Sequence, residues 1–285
     1  MDASFISKTI AIVIPTYNEN SNIGTLIPQI LQATKDIVYP SLGGEPTTAI
    51  IRSPVHIIVV DDNSTDGTGD TVLALSEKDT NIHLIKRPGK MGLGSAYKDA
   101  FEWVNSKLNA EIIIQMDADL SHPPNLLTKM IEPIAAGSAD VMIASRYLGE
   151  GGIQNWPIHR RIISKGANWI ARQVLGIRVN DTTSGYRAYN ASSVRDLLSE
   201  NFSSSGYEYQ IEVLQILSHL NKKIVEIPFM FLNRTEGSSK LGIKDIMRFA
   251  YTISKLRFNR VKKITPVLVP DHADKEHVAS VVWAN

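Results

Sequence analysis

The chain has 285 residues, of which 43% are hydrophobic and 21% charged, with a formal net charge of +1. This length suits one large α/β domain or two small ones, and the near-neutral charge gives no global case for nucleic-acid binding. The lack of cysteine excludes disulfides and thiolate metal sites, which fits a reducing compartment.

The first half of the chain alternates between apolar β-branched runs and amphipathic segments. Strands are predicted at residues 8–15, 55–60, 82–86, 111–116 and 139–144, and helices at 21–34, 67–75, 94–108 and 126–135. Residues 39–54 interrupt the first crossover with Pro, Gly and Thr, as a surface insertion does. The alternation predicts an α/β fold with an open, mostly parallel sheet and helices on both faces.

The second half has two basic segments with helical spacing, at 157–175 and 243–264, and we assign no elements between them. From 234 to 263 there are nine Lys/Arg residues against two Asp/Glu. Segment 157–175 carries apolar residues on one side and basic residues on the other. It is interpreted either as a helix lying on an anionic membrane surface or as a helix packed on the sheet with a solvated basic face.

Polar residues stand where three predicted strands end, at 15–19, 61–62 and 117–119. Ligands of such sheets bind at the carboxyl ends of the strands, so these segments are expected to share one crevice. Asp117 and Asp119 have the oxygen ligands and the spacing to hold one hard cation, Mg²⁺ or Mn²⁺, beside a substrate diphosphate. The alternative for this pair is a solvated loop or a helix cap.

The other strand ends suggest nucleotide contacts. Tyr17 offers a flat face for a base, and Glu19 and Asp62 offer acceptors for ribose or base donors. Asp61 is expected to order its loop and Asp66 to cap the helix that follows.

Two further features have more than one interpretation. Residues 92–96 (GLGSA) predict a tight turn into a helix, since they lack the full phosphate-loop or dinucleotide pattern, and the alternative is a Gly-rich loop that contacts the ligand. Arg146, Arg160 and Arg234 are candidates for binding phosphates through paired hydrogen bonds, and each can instead be a surface arginine.

Seven motifs in order carry a resemblance to a known family. They are VIPTYNE (13–19), VVDDNSTDGT (59–68), MDADLSHPP (116–124), ASRY (144–147), RRIISKGAN (160–168), DTTSGYR (181–187) and NRTEGSSKL (233–241). Together they resemble the dolichol-phosphate mannosyltransferases, inverting family-2 glycosyltransferases with a GT-A-type fold, over residues 9–258.

The resemblance implies transfer of mannose from GDP-mannose to dolichyl phosphate, with Mg²⁺ or Mn²⁺ as cofactor. The implied nucleotide-sugar residues are Pro15, Tyr17, Glu19, Val60, Asp62, Asp117, Ala118, Asp119, Arg146, Arg234 and Lys240. The implied metal ligands are Asp117 and Asp119, the acceptor-phosphate residues are Arg146, Arg160 and Ser164, and the catalytic residues are Asp119, Arg146 and Arg160. Arg234 and Lys240 are expected on a loop that closes over the donor. Ser121 stands where some relatives have a glutamine ligand, and we do not expect its weaker hydroxyl to coordinate.

The expected mechanism needs no strong general base, because a phosphate monoester is already ionised near neutral pH. We therefore assign no such role to Asp181, which is expected to order the turn at 181–185 by local hydrogen bonds.

The expected organisation is one GT-A domain over 1–265, with a donor half at 9–144, an acceptor and membrane-facing half at 145–265, and a tail at 266–285. No apolar run could span a membrane and no secretory signal opens the chain, so it resembles the short form of the family, which relies on small membrane-anchoring subunits. Several N-x-S/T patterns lie within the motifs, which favours the cytosolic face of the endoplasmic reticulum; the alternative is that these patterns occur by chance. The alternatives are a UDP-glucose-dependent glucosyltransferase on the same lipid and a non-catalytic nucleotide-binding subunit.

Overall fold

The computed structural model describes residues 8–35, 37, 53–154, 156–232 and 243–258, and the fold is given for these ranges. Most of the predicted insertion, at 39–52, lies outside the described residues. So do Arg234 and Lys240, and the predicted tail at 266–285.

Nine strands and eight helices make up the described part of the chain. The strands are β1 Ile10–Thr16, β2 Val55–Asp61, β3 Ile82–Lys86, β4 Ile112–Gln115, β5 Val141–Ser145, β6 Gly152–Ile153, β7 Arg187–Asn190, β8 Ile224–Pro228 and β9 Met230–Phe231. The helices are α1 Asn20–Thr34, α2 Thr68–Ser76, α3 Leu93–Lys107, α4 Leu127–Ala135, α5 Ile158–Leu175, α6 Ala191–Glu200, α7 Tyr209–His219 and α8 Ile243–Phe258, with a 3₁₀ turn at Pro124–Leu126 before α4.

Seven of the strands form one sheet in the order β3-β2-β1-β4-β7-β5-β8. All neighbours in it are parallel except β7, which runs antiparallel between β4 and β5. Strands β6 and β9 form a separate parallel pair. The predicted mostly parallel α/β sheet with helices on both faces is therefore confirmed.

The apolar runs of the central strands are explained by burial on both faces of the sheet. Alternate residues of β1 enter two separate clusters, so that Ala11 and Val13 pack towards α3, α6 and α7, while Ile12 and Ile14 pack towards α1 and α4. A strand covered on both faces has no polar side, which is why the sequence shows continuous rather than alternating hydrophobicity. This arrangement leaves the strand ends as the place for polar side chains.

Some boundaries differ from the sequence prediction. The fourth strand ends at Gln115, two residues before Asp117, although the N–H of Met116 still donates to the Val13 carbonyl of β1 at 3.0 Å. The residue at the N-cap position of α2 is Gly67, at φ 89°, and not Asp66. Asp66 nevertheless accepts the N–H of Thr68, the first residue of that helix, at 3.0 Å.

Helix α5 presents its apolar side to solvent. Ile158, Ile162 and Trp169 are 75%, 64% and 63% exposed, whereas Asn168 and Ala171 on the other side are buried. Helix α8 packs against α5 and exposes Met247, Tyr251 and Phe258. Of the two interpretations of segment 157–175, the one that packs its apolar side on the sheet is wrong. Within the described ranges, none of the helices combines the length and apolarity needed to cross a bilayer.

Candidate active site

The loops after β1 and β2 are joined to each other at the carboxyl edge of the sheet. Asn18, at φ 58°, donates its N–H to Ser64 Oγ and accepts the N–H of Thr65, both at 2.9 Å. Asp61 is buried and accepts from Thr16 Oγ1 at 3.2 Å and from the N–H of Ser64 at 3.1 Å. The prediction that Asp61 orders its loop is confirmed.

Asp62 is the first residue of the loop after β2, and its side chain forms a buried ion pair with Arg87. Arg87 Nη1 is 2.7 Å from Asp62 Oδ1, and their side chains are only 3% and 9% exposed. The N–H of Met91 donates to the other carboxylate oxygen at 3.3 Å. Burial raises the pKa of Asp62 above its ordinary value, although Arg87 acts to lower it. The orientation of the Asp62 carboxylate is thus fixed by Arg87 and Met91, at the position where a nucleotide contact was predicted.

The sequence did not predict a role for Arg87. It directly follows β3, which lies next to β2, so it stands at the same carboxyl edge as the acidic strand ends. Its guanidinium also contacts Asp99 Oδ2 at 3.0 Å and donates to Ser95 Oγ at the start of α3. The signal available was its place immediately after a predicted strand.

We expect Arg87→Lys to lower the free energy of unfolding by about 1–3 kcal/mol. Lysine keeps the charge but cannot reach Asp62, Asp99 and Ser95 with one rigid fork, so charge-assisted hydrogen bonds are lost. Chemical denaturation measures the loss, with Arg195→Lys, at an exposed position of α6, as the matched control. Equal stability of the two variants would show that the fork is dispensable.

Four further residues predicted to hold the nucleotide lie on β1, β2 and the loop after β1. Pro15 and Val60 are partners in the register of β1 and β2. The Tyr17 ring lies below the Lys90 ammonium, 4.4 Å from Nζ to the ring centroid. Glu19 accepts from Asn22 Nδ2 at 2.8 Å. Lys90 was not predicted, and it places a cation over the ring proposed to stack on the base.

Asp117 and Asp119 follow β4 on a tightly held loop. The N–H of Asp117 donates to His122 Nδ1 at 3.0 Å, and the His122 ring stacks on Tyr186 with 4.7 Å between centroids. Asp119 is buried and accepts from both the N–H and the hydroxyl of Ser121, whereas the Asp117 side chain is 31% exposed. Ala118, between them, is buried. Ser121 therefore orients Asp119 through its hydroxyl.

This pair has the chemistry of a divalent cation site that is completed by a substrate. Two carboxylates supply hard oxygen ligands, and Mg²⁺ in particular is held by one or two carboxylates plus phosphates and water. In the described residues no cluster of three or more His, Asp or Glu side chains is placed to hold a metal ion. The donor set therefore fits an ion shared with a diphosphate better than an ion enclosed by protein.

A buried hydrogen-bond network centred on Gln115, the last residue of β4, lies next to this loop. Gln115 is fully buried, donates to the Gly185 carbonyl at 2.9 Å, and accepts from the hydroxyls of Tyr189 at 2.7 Å and Tyr209 at 3.2 Å. Burial raises the pKa of both tyrosines, so both hydroxyls remain donors. A Cβ on Gly185 would lie 3.6 Å from both Asp117 carboxylate oxygens. The network brings segment 181–187 against the Asp117 loop.

Arg146 follows β5 and is bound in a bidentate ion pair. Its Nε and Nη2 are each 2.7 Å from an Asp181 carboxylate oxygen, and Nη2 also donates to Thr183 Oγ1 at 2.8 Å. Asp181 is fully buried and its N–H donates to Glu226 Oε1. Burial acts to raise the pKa of Asp181, but Arg146 and the hydrogen bonds outweigh it and hold the pKa below its ordinary value. Asp181 thus orients Arg146 as a carboxylate whose charged form is favoured by this pairing.

The other two residues predicted to hold the acceptor phosphate lie on α5 near this pair. Ser164 accepts from the Tyr147 hydroxyl at 2.7 Å. The Arg160 guanidinium lies over the Trp156 ring, 3.7 Å from its centroid, and the Arg146 guanidinium lies 5.6 Å from the same ring. Trp156 thus brings the two arginines to one aromatic surface, a contact that the sequence did not indicate.

The glycines of the 92–96 motif serve packing. Gly92 has φ 100°, and a Cβ there would lie 2.4 Å from the Ser205 carbonyl oxygen, while one on Gly94 would lie 2.1 Å from that of Ser204. No larger residue fits at either position. The predicted tight turn into α3 is confirmed.

The comparison with known sequences decides the family. The model of the family described as Glycosyl transferase family 2 matches residues 11–198, which include all of these strand ends. The chain belongs to this family.

Three curated relatives are similar to this chain over most of its length. The chain is 34% identical to a polyprenol monophosphomannose synthase of Mycolicibacterium smegmatis, over 86% of this chain and 85% of that protein. It is 35% identical to an undecaprenyl-phosphate mannosyltransferase of Micrococcus luteus, over 81% and 86%. It is 34% identical to a dolichol-phosphate mannosyltransferase of Pyrococcus furiosus, over 87% of this chain and 63% of that protein. The predicted resemblance is confirmed.

Solved structures agree on the fold. Glucosyl-3-phosphoglycerate synthase of Mycobacterium tuberculosis, in complex with Mn²⁺, uridine diphosphate and phosphoglyceric acid, superposes with a TM-score of 0.60 at 17% identity, covering 88% of this chain and 79% of that one. A complex of the same enzyme with Mg²⁺ and uridine diphosphate gives a TM-score of 0.59 at 16% identity. At this identity the likeness concerns the fold alone.

Proposed function

We propose that this family-2 glycosyltransferase transfers mannose from GDP-mannose to dolichyl or another polyprenyl phosphate, with inversion and with Mg²⁺ or Mn²⁺ as cofactor. The observation that carries the proposal is the Asp117–Asp119 pair at the end of β4, with the Arg146–Asp181 pair at the end of β5. The names of the three curated relatives, all mannosyltransferases or synthases of polyprenol-linked mannose, support the sugar and the lipid. Arg234 and Lys240 are proposed donor contacts by motif only.

In the proposed reaction, the acceptor phosphate attacks the anomeric carbon in line with the departing GDP. This phosphate is largely ionised at neutral pH, so the protein need not remove a proton. A cation held by Asp117 and Asp119 would stabilise the charge that develops on the diphosphate. The protein's own part is positioning: Asp62 and Tyr17 orient the nucleoside, while Arg146 and Arg160 bring two phosphate-bearing substrates together against their mutual repulsion.

The direct test is lipid extraction after incubation of the folded protein with GDP-[¹⁴C]mannose, polyprenyl phosphate and Mg²⁺ or Mn²⁺. We expect labelled lipid that is released by mild acid as mannose. Folded protein that yields no lipid-linked label would refute the proposal. Stabilisation by UDP with Mn²⁺ and not by GDP, in a thermal-shift comparison, would instead support the glucosyltransferase alternative.

We expect Arg160→Ala to raise the KM for polyprenyl phosphate about 10-fold or more, with a smaller effect on the KM for GDP-mannose. The reason is the loss of a charge-assisted contact with one phosphate, worth about 1.5–3 kcal/mol. Initial rates measured against each substrate separate the two constants, and Arg178→Ala, at an exposed position after the end of α5, serves as the matched control. An unchanged acceptor KM would remove Arg160 from the acceptor site.

We propose that the exposed apolar side of α5 and α8 rests on the membrane that contains the lipid acceptor. Ile158, Ile162 and Trp169 are side chains that the lipid interface accommodates. Flotation with vesicles should recover the protein, and Ile162→Asn with Trp169→Ser should reduce the recovered fraction severalfold. Recovery that does not depend on these residues would contradict this orientation.

We propose from the N-x-S/T sites that the protein contacts the membrane from the cytosolic face. This membrane would be the endoplasmic reticulum if dolichyl phosphate is the acceptor. The Asn180 side chain donates to Glu226 Oε2 at 2.9 Å, and Asn190 caps α6 by accepting the N–H of Ser193 at 2.8 Å. A glycan on either amide would disrupt these contacts. Small anchoring subunits are a further proposal, testable by affinity purification from membranes.

A further inference from the structure

A cavity of about 460 Å³ opens between α5 and segment 149–153. Four cationic residues line it: Arg146, Arg161, Lys165 and Arg172. No acidic side chain is among the residues that form its wall in the described part of the chain. Of the four cations only Arg146 has a carboxylate partner at salt-bridge distance among the described residues, and that partner is Asp181. Arg161, Lys165 and Arg172 thus line this space with no salt-bridge partner among the described residues.

The three uncompensated cations form a row along one side of α5. Positions 161, 165 and 172 are four and seven residues apart, a spacing that places side chains on one helix face. Trp169, which also lines the cavity, follows Lys165 by one turn and is 63% exposed. The row therefore borders the exposed apolar side that begins at Ile158 and Ile162. Arg161 is held in place, since its Nη2 donates to the Ile153 carbonyl at 3.0 Å.

We propose that this cavity binds the phosphate group of an anionic phospholipid of the bilayer. Guanidinium and ammonium groups complement a phosphodiester, and the apolar side next to them complements the acyl chains. The phosphate of a bilayer lipid suits the row better than the acceptor phosphate, to which the mannose is transferred. Arg161, Lys165 and Arg172 are exposed on α5, whereas Arg146, at the catalytic edge, is buried and already paired.

A bound headgroup would set the depth and rotation of α5 on the membrane. Because Arg146 and Tyr147 also line the cavity, a lipid held there would lie next to the proposed acceptor site. The proposed lipid site rests on the membrane contact proposed above, and it adds a specific binding position to that surface. Lipid binding is measured without nucleotide sugar. A negative result for lipid binding is therefore separate from a negative result for the proposed transferase activity.

The first measurement is partition onto vesicles of phosphatidylcholine with and without phosphatidylglycerol. Replacing Arg161, Lys165 and Arg172 together by glutamine should lower the partition coefficient on anionic vesicles on the order of 100-fold, since each charge at the surface contributes about fivefold. Binding to neutral vesicles should change less than about threefold, because the apolar side is intact. Circular dichroism and thermal unfolding check that the variant is folded, which its exposed positions lead us to expect.

The matched control replaces Lys78, Lys107 and Lys223 by glutamine. These exposed lysines follow α2, end α3 and precede β8, so they stand at the amino edge of the sheet, opposite the proposed site. The same net charge is removed, yet we expect binding to anionic vesicles to fall less than about threefold. An equal loss in both triple variants would indicate diffuse electrostatic attraction and would overturn the proposal.

The second measurement is titration with water-soluble dihexanoyl phosphatidylglycerol, below its micelle concentration, followed by tryptophan fluorescence. We expect saturable binding that is lost in the Arg161, Lys165 and Arg172 variant and a signal that is lost in Trp169→Phe. Inorganic phosphate should compete only weakly. Binding of inorganic phosphate or of short-chain polyprenyl phosphate in preference to the phosphatidylglycerol would assign the cavity to another anion and contradict the proposal.

Discussion

Replacing Asp119 by Asn is expected to lower the turnover of lipid mannosylation by roughly 10³-fold. The side chain keeps its shape and an oxygen that can accept from Ser121, so the loop after β4 should stay folded. What is removed is the negative charge that would hold a divalent cation at the diphosphate, a contribution of several kcal/mol to the transition state. Initial rates at saturating GDP-mannose and polyprenyl phosphate measure the effect.

The control for this prediction is Asp70→Asn, which removes a carboxylate from the exposed start of α2. Its turnover should stay within about twofold of the unmodified protein. Binding of Mn²⁺ in the presence of GDP, followed by electron paramagnetic resonance, should weaken in the Asp119 variant alone. Near-normal turnover and Mn²⁺ affinity after Asp119→Asn would remove this residue from the metal site.

Replacing Asp181 by Ala is expected to lower the free energy of unfolding by about 3–5 kcal/mol. The change leaves Arg146 buried without its bidentate partner, and an uncompensated buried charge is strongly destabilising. Adding Arg146→Met should recover part of the loss, since the charge is then removed as well. Urea denaturation of the single and double variants measures this coupling.

The surface pair of Lys222 and Asp196 provides the control, because Asp196 is substantially exposed. Asp196→Ala should cost less than about 1 kcal/mol. The contribution of the buried pair should also depend on pH in a defined direction. The pKa of Asp181 is held below its ordinary value of about 3.9, so the stabilisation is complete above that pH. It is lost only as the pH falls through the lower folded-state pKa. A stability difference between the Asp181 variant and the unmodified protein that disappears near neutral pH would contradict this assignment.

Sequence reasoning located the first half of the fold well because its signals are local. A strand buried on both faces must be a continuous apolar run, and an amphipathic helix must repeat every 3.6 residues, so β1 to β5 and α1 to α4 were recognised to within a few residues. The short strands β6, β7, β8 and β9 were not assigned. β6 and β9 span only two residues each, and the antiparallel place of β7 between β4 and β5 depends on partners distant in the chain.

The sequence by itself determined the family, the α/β sheet and the strand ends that carry Asp62, Asp117, Asp119 and Arg146. Each strand end is a property of one short segment, and the family and the sheet follow from the order of such segments along the chain. Only the tertiary structure decided which charges neutralise one another. Arg87 with Asp62 and Arg146 with Asp181 are pairs between segments 25 and 35 residues apart, and no local pattern encodes them. The structure also decided that the apolar side of α5 faces outward, since a helical period specifies that a helix has two sides but not which side the rest of the chain covers.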